Sequence, residues 1–312
     1  MKRGLVLGII LLSGVIGSAI LGAQQPAQGR EGGQGRGGGR GFNFPPITAA
    51  EKVANDLYMI AGQGGNTAAF VTATGVVLVD TKLANNGQAI LDQVKAVTAK
   101  PITHIINTHT HGDHTGSNQF FPATVEIVTQ ENTKANMEKM PVFQDAANKH
   151  GLPDRTFKDK LTLLKGKDSI DLYYFGRAHT NGDAFVVFRN ARVMHAGDAF
   201  AGKGQPLIDG MNGGSGVAYP DTLAEAAKGV KNVDKVITGH STVMKWQDFV
   251  DFGEFNRLFL DHARQSLKAG KTPEQAMMDL KLPEKFKDYN LAGGRGGPGG
   301  NFGIIFEELK SK

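Results

Sequence analysis

Apolar and polar positions change period repeatedly along the chain, and each change marks an element. Val53 to Ile60, Thr67 to Thr72 and Val76 to Val79 are short runs rich in β-branched and aromatic residues. They read as strands, separated by Gly62-Gln63-Gly64-Gly65-Asn66 and by Thr74-Gly75. From Asn85 to Ala99 the spacing lengthens. Ile90, Leu91, Val94 and Val97 share one face of a predicted helix, which Pro101 stops. Ile102 to Ile106 returns to strand and runs directly into His109-Thr110-His111-Gly112-Asp113-His114.

Beyond that hexapeptide, Gly116 to Phe121 reads as a short helix, Val125 to Val128 as a strand and Glu131 to Met140 as a helix. Residues 141–156 form a mixed loop with some helix. Thr156 to Leu164 and Ile170 to Phe175 are strand-like. Ala184 to Phe188 and Arg192 to Ala196 make a strand pair joined at Arg189-Asn190-Ala191. A glycine-rich excursion, Gly202 to Gly216, precedes a helix over Thr222 to Val230, a strand over Val236 to Thr238 and a long helix over Phe249 to Ala269. Thr272-Pro273-Glu274 opens another helix, with Thr272 as its cap and Pro273 in its first turn. A second glycine-rich stretch, Ala292 to Gly300, leads to a last segment, Phe302 to Leu309. This order predicts an α/β (α+β) architecture: two mixed sheets sandwiched between outer helices.

Composition changes the picture mainly at the amino-terminal end. Lys2 and Arg3 precede an almost wholly apolar stretch, Leu5 to Leu21, followed by Gly22 and Ala23. Residues 1–23 therefore read as an export signal, with an uncleaved anchor as the competing reading. Ser13, Gly14, Gly17 and Ser18 weaken a membrane helix. Residues 24–45 are rich in glycine and arginine and read as a disordered tether. The folded domain is expected over 46–312, in an exported protein that is periplasmic or secreted. Of the formal net charge of +5, residues 1–40 carry +4, so the folded part is close to neutral and no nucleic-acid partner is expected. A membrane is expected as partner only through an uncleaved 1–23 segment. With no cysteine, disulfides, thiolate ligands and cysteine nucleophiles are excluded.

The hexapeptide places metal-competent side chains at close spacing. In an extended segment residues i and i+2 point the same way, so His109 and His111 can reach one ion together. Asp113 and His114 follow where the chain turns and can face a neighbouring site. Of the nine histidines, His179 and His240 also occur in ligand-like contexts. Tyr174 to Asp183 follows a strand and precedes a turn, and Thr238-Gly239-His240 is strand, glycine, histidine. Asp198 follows His195-Ala196-Gly197 in the same style. His104 reads as structural, His150 and His262 as solvated, and His195 as part of the strand body, with a place near the site as the lesser reading. Asp183 is expected to orient the His179 loop, and Asp80 to accept a hydrogen bond from a ligating histidine.

These residues together, His109-x-His111-x-Asp113-His114 followed by His179, Asp198 and His240, resemble the metallo-β-lactamase superfamily over roughly residues 47 to 312. The resemblance implies a four-layer αββα sandwich and two metal ions, zinc by default with iron or manganese as alternatives. One ion would take His109, His111 and His179. The second would take Asp113, His114 and His240, with Asp198 bridging. The chemistry then expected is attack on an acyl centre (ester, lactone, thioester or amide) by metal-activated hydroxide, with Asp113 orienting it. One departure matters: true β-lactamases of the superfamily are expected to carry Cys or Ser where this chain has Asp198. A metallo-β-lactamase proper and an iron-dependent oxidoreductase such as a persulfide dioxygenase are the alternative readings. Small-molecule selectivity is assigned to loops Gly62 to Asn66, Pro141 to Pro153 and Ala199 to Tyr219, the last expected to be mobile. Lys203, within it, is read as solvated or as a partner for a substrate carboxylate.

Overall fold

The computed structural model describes residues 44–292 and 299–311. The expected export signal and most of the tether lie outside the described residues.

Two sheets face each other. The first is seven-stranded, in sequential order: β1 (Glu51–Ala54), β2 (Leu57–Ile60), β3 (Thr67–Val71), β4 (Val76–Val79), β5 (Ile102–Ile106), β6 (Glu126–Gln130) and β7 (Arg155–Phe157). β1 to β4 pair antiparallel, whereas β4, β5, β6 and β7 run parallel. The second sheet is six-stranded and comprises β8 (Lys160–Leu163), β9 (Ile170–Tyr173), β10 (Phe185–Phe188), β11 (Val193–His195), β12 (Lys235–Ile237) and β13 (Met244–Lys245). Only β11 and β12 are parallel within it.

Eight helices complete the described chain: α1 (Gly87–Val97), α2 (Gly112–Thr115), α3 (Glu131–Met137), α4 (Pro141–Gln144), α5 (Tyr219–Gly229), α6 (Trp246–Lys268), α7 (Pro273–Asp279) and α8 (Phe302–Lys310).

Strand alternation explains the layers, because successive side chains face opposite sides of a sheet. In β4, Val77 and Val79 face the second sheet, while Val76 and Leu78 face Ile90 and Val94 of α1. In β10, Val186 and Phe188 face the first sheet, while Phe185 and Val187 face the helices. Three apolar layers result: α1 on the first sheet, sheet on sheet, and α5 to α8 on the second sheet. This is the αββα sandwich.

Two runs expected to be single strands are broken. Val53 to Ile60 becomes the β1–β2 hairpin, because Asp56 takes a left-handed conformation at φ 59°. Thr156 to Leu164 divides at Lys158-Asp159, so that β7 joins the first sheet and β8 the second. Hydrophobic pattern does not distinguish one strand from two when the break falls in a turn this short.

Candidate metal centre

The hexapeptide sits at the carboxyl end of the parallel strands, where chains in open α/β sheets leave a crevice. β5 ends at Ile106, and the chain turns into α2, with His111 as its extended cap residue (φ −63°, ψ 146°). Asp80, just past β4, fixes this exit. Its buried carboxylate accepts from Thr108 N (2.8 Å), Thr108 Oγ1 (2.7 Å) and His114 Nδ1 (2.7 Å). The predicted role of Asp80 as acceptor for a ligating histidine is thus matched by its geometry.

Two donor clusters form. The ligand atoms of His109, His111, His179 and Asp198 lie within 4.8 Å of one another, and so do those of Asp113, His114 and His240. Nε2 of His109 is 3.1 Å from Nδ1 of His111, and Nε2 of His179 is 2.9 Å from that same Nδ1. Nε2 of His114 is 3.3 Å from Nε2 of His240. Asp198 stands between them. Its Oδ2 is 4.0 Å from His109 Nε2 and 3.6 Å from His179 Nε2, while its Oδ1 is 3.4 Å from His114 Nε2 and 3.2 Å from His240 Nε2. Gly239 makes room, since a Cβ there would sit 2.0 Å from Asp198 Oδ1.

The outward nitrogens decide what the inward ones can do. His109 Nδ1 meets Thr108 Oγ1 (3.0 Å), whose proton already goes to Asp80. His111 Nε2 donates to Asp209 Oδ2 (2.6 Å), His114 Nδ1 to Asp80 and His179 Nδ1 to Leu207 O (3.1 Å). In its neutral form an imidazole carries one N–H, so in that form these partners leave lone pairs on the inward nitrogens. Lone pairs facing each other at such distances attract only when a cation lies among them. Asp198 Oδ1, buried and without a hydrogen-bond partner among the described residues, is a further donor aimed at the second cluster. Nitrogen and carboxylate donors of this kind fit zinc and other divalent transition ions.

The family profile described as the metallo-beta-lactamase superfamily matches residues 61–240, ending on His240. The chain belongs to the metallo-β-lactamase superfamily. A curated relative, metallo-beta-lactamase type 2 of Elizabethkingia meningoseptica, is 24% identical over 217 residues, covering 65% of this chain and 81% of the relative. A solved metallo-beta-lactamase from Pontibacter korlensis superposes with a TM-score of 0.56 at 18% identity, over 68% of this chain and 99% of that one. The stereoselective inverting sec-alkylsulfatase Pisa1 from Pseudomonas sp. superposes with a TM-score of 0.70 at 13% identity, over 83% of this chain and 50% of that one. At these identities the two structures establish the fold.

Electrostatics in this metallo-β-lactamase-fold site separate the clusters. Burial holds His109 well below the ordinary imidazole range, helped by the neighbouring imidazoles, and burial lowers His179 to about 3. Both are neutral at any working pH, as ligation requires. Burial opposes a charge on His114, but the carboxylates of Asp198, Asp80 and Asp113 outweigh it and raise that group well above its usual value. Burial works against ionised Asp198 as well; His240 and His114 reverse this and hold it far below the usual carboxylate range. Carboxylates therefore gather around the second cluster, which is also the more open one: His240 is 25% and Asp113 19% exposed, against 1% for His109 and for His179.

Every residue assigned to a donor role from the sequence is brought into one of the two clusters. Asp183 accepts from Thr180 N (2.8 Å) and Oγ1 (2.7 Å) and so shapes the His179 loop, as expected. His195 is buried beside the site, 2.9 Å from Asn66 O. His150 lies in its loop 2.9 Å from Gln119 O. His262 is not solvated: it is half-buried, with Nε2 2.8 Å from Ala276 O. Lys203 is engaged by Asp248 (2.7 Å).

Asp209 and Lys82 escaped sequence reasoning. Asp209 turns the 199–219 loop from a mobile excursion into a pinned one: besides receiving His111, it caps Met211 N and Asn212 N, and its own N donates to His179 O. An Asp before glycine and asparagine signals only a turn. Lys82 is fully buried, a placement that no local pattern marks.

Proposed function

We propose that this chain is a dinuclear metal-dependent hydrolase, zinc-loaded by default, that cleaves an acyl bond in a small ester, lactone, thioester or amide. The observation that carries this reading is the pair of donor clusters sharing Asp198, one carboxylate oxygen toward each. His109, His111 and His179 would hold one ion and Asp113, His114 and His240 the other. The ions would supply Lewis-acid polarisation of the scissile carbonyl and acidification of the attacking water. Asp113 Oδ2, on the open side 3.4 Å from His240 Nε2, is placed to accept a hydrogen bond from that water and orient it. Asp80 and Asp209 keep His114 and His111 turned, so that their inward nitrogens face the position a bound cation would take. A cleft of about 250 Å³ starts at Ser241 beside His240 and runs past Leu207, Gln205 and Asn290.

Aspartate at 198, where the true β-lactamases of the superfamily are expected to carry Cys or Ser, favours ester, lactone or thioester over β-lactam substrates. Export through residues 1–23 belongs to the same proposal, and rests on the charged and apolar pattern of that segment.

The test is metal analysis of the purified protein beside a panel of a β-lactam, a lactone, a thioester, a phosphodiester and a secondary alkyl sulfate. About two metals per chain and turnover of the lactone or thioester are expected. Fewer than about 1.5 metals per chain rejects the dinuclear site. Exclusive turnover of the sulfate or phosphodiester rejects the acyl substrate. Iron with a visible absorption band, and no hydrolysis, makes the chain an oxidoreductase.

A further inference from the structure

The second donor cluster is held by a part of the molecule that the chemistry above does not use. The β2–β3 loop, residues 62–66, passes under Asp113 and His114. Gly65 N donates to Asp113 O (2.9 Å), and Gly65 lies flat on the His114 ring: a Cβ there would be 2.2 Å from Cε1. The next residue, Asn66, is 3% exposed and bonds neighbouring segments through its backbone and its side-chain nitrogen. Its backbone N donates to Gly239 O (2.7 Å), and its Nδ2 donates to Thr238 O (2.9 Å) and Ser241 O (2.7 Å), on both sides of His240. Its carbonyl accepts from His195 Nε2 (2.9 Å). One side chain thus ties the His240 turn to the loop that carries the His114 ring.

Lys82 holds the same loop from the other side. Its Nζ donates to Gly65 O (2.9 Å) and Ile60 O (2.8 Å). It is fully buried and makes no salt bridge among the described residues. A buried ammonium carries a heavy desolvation cost, so an apolar side chain would fill this space more favourably. The two carbonyl bonds are what the lysine provides in return. Asp80 and Lys82 both take left-handed backbone conformations, φ 62° and 63°. Between them, Thr81 N donates to His114 O (2.6 Å). Strained backbone of this kind persists where surrounding contacts over-determine it.

The first cluster has a different support. Asp209 and Leu207 of the 199–219 loop hold His111 and His179. Among the described residues, no hydrogen bond runs from residues 62–66 or from the Lys82 side chain to His109, His111 or His179.

We propose that Asn66 and Lys82 are positioning residues of the second donor cluster, and that they set its affinity for a divalent ion separately from the first. This rests on the dinuclear reading above. Each half of the site then has its own brace, Asn66 and Lys82 for Asp113, His114 and His240, and Asp209 for His111.

The test uses the full chain, freed of metal and titrated with zinc against a chromophoric chelator, for wild type, Asn66→Ala, Lys82→Met, Gly65→Ala and Asp209→Ala. Wild type is expected to take up two resolved equivalents. In Asn66→Ala and Lys82→Met one equivalent keeps its wild-type affinity and the other weakens by about 10–100-fold, the effect usual for removing an outer support. Gly65→Ala, which pushes on the His114 ring without deleting a hydrogen bond, gives the same asymmetry; it and Asn66→Ala decide the matter if Lys82→Met does not fold. Asp209→Ala weakens the opposite equivalent. Equal weakening of both equivalents in Asn66→Ala and Gly65→Ala, or two wild-type affinities in each, overturns the brace and leaves the dinuclear site standing. A wild-type chain that binds a single equivalent overturns the dinuclear site and the brace with it.

Discussion

Asp198 is the residue on which the two halves of the site meet. It is buried, its Oδ1 lacks a hydrogen-bond partner among the described residues, and its two oxygens face different imidazole sets. Replacing it with alanine is expected to lower metal content from two to one per chain and turnover by on the order of 100-fold. Metal analysis and steady-state kinetics check this; unchanged content and rate would remove Asp198 from the site. Lys82 carries a second expectation at this scale. Burial, only partly offset by the attraction of Asp80, lowers its ammonium to about 7. In the unfolded chain a lysine stays protonated to about 10.4. Between these values the unfolded state binds the extra proton, so stability rises with pH; below about 7 both states are protonated and Lys82 contributes no slope. Urea unfolding of wild type should show that rise between roughly pH 7 and 10, and Lys82→Met should flatten it.

At the scale of elements, α6 is what the second sheet leans on. Phe249, Phe252, Phe255 and Phe259 recur on its buried face, and Phe259 stacks on Phe302 of α8 with ring centroids 4.1 Å apart. Phe259→Ala should cost about 3–5 kcal/mol by leaving a cavity between the two helices. The denaturation midpoint measures the loss, and a cost near zero would mean that α8 collapses onto α6. This helix was legible in the sequence, since the stripe is periodic; its start moved from Phe249 back to Trp246 because Asp248 bonds Lys245 N. The α7 start was legible as well: Thr272 and Gln275 form the reciprocal box that the Thr-Pro-Glu sequence foretells. The strands were legible in number only in part. The apolar run through Thr156 to Leu164 is continuous in character, yet its halves lie in different sheets, a choice made by what each half packs against.

Across the whole molecule, the site spans both sheets. His109, His111, Asp113 and His114 follow β5 of the first sheet, while His179, Asp198 and His240 follow β9, β11 and β12 of the second. A cation bound between them would link the two halves of the sandwich and would bind only the folded state. Stripping the metal with a chelator should therefore lower the melting temperature, by an amount that grows with free metal concentration on add-back. A melting temperature indifferent to metal would show that the ions do not join the sheets. Family membership and fold agree at this scale.

The sequence by itself determined the alternation of strands and helices, the absence of thiol chemistry, and the candidate donor residues, because these depend on local periodicity and on side-chain type. The hexapeptide is local in this sense: its i, i+2 spacing needs only an extended backbone. Tertiary structure alone decided that each oxygen of Asp198 faces its own cluster, that Asp209 reaches His111 across 98 positions of chain, and that Lys82 and Asn66 lie beneath the second cluster. Such pairings depend on the paths of glycine-rich loops. Glycine widens the choice of path instead of restricting it, and the packing of the two sheets makes the selection.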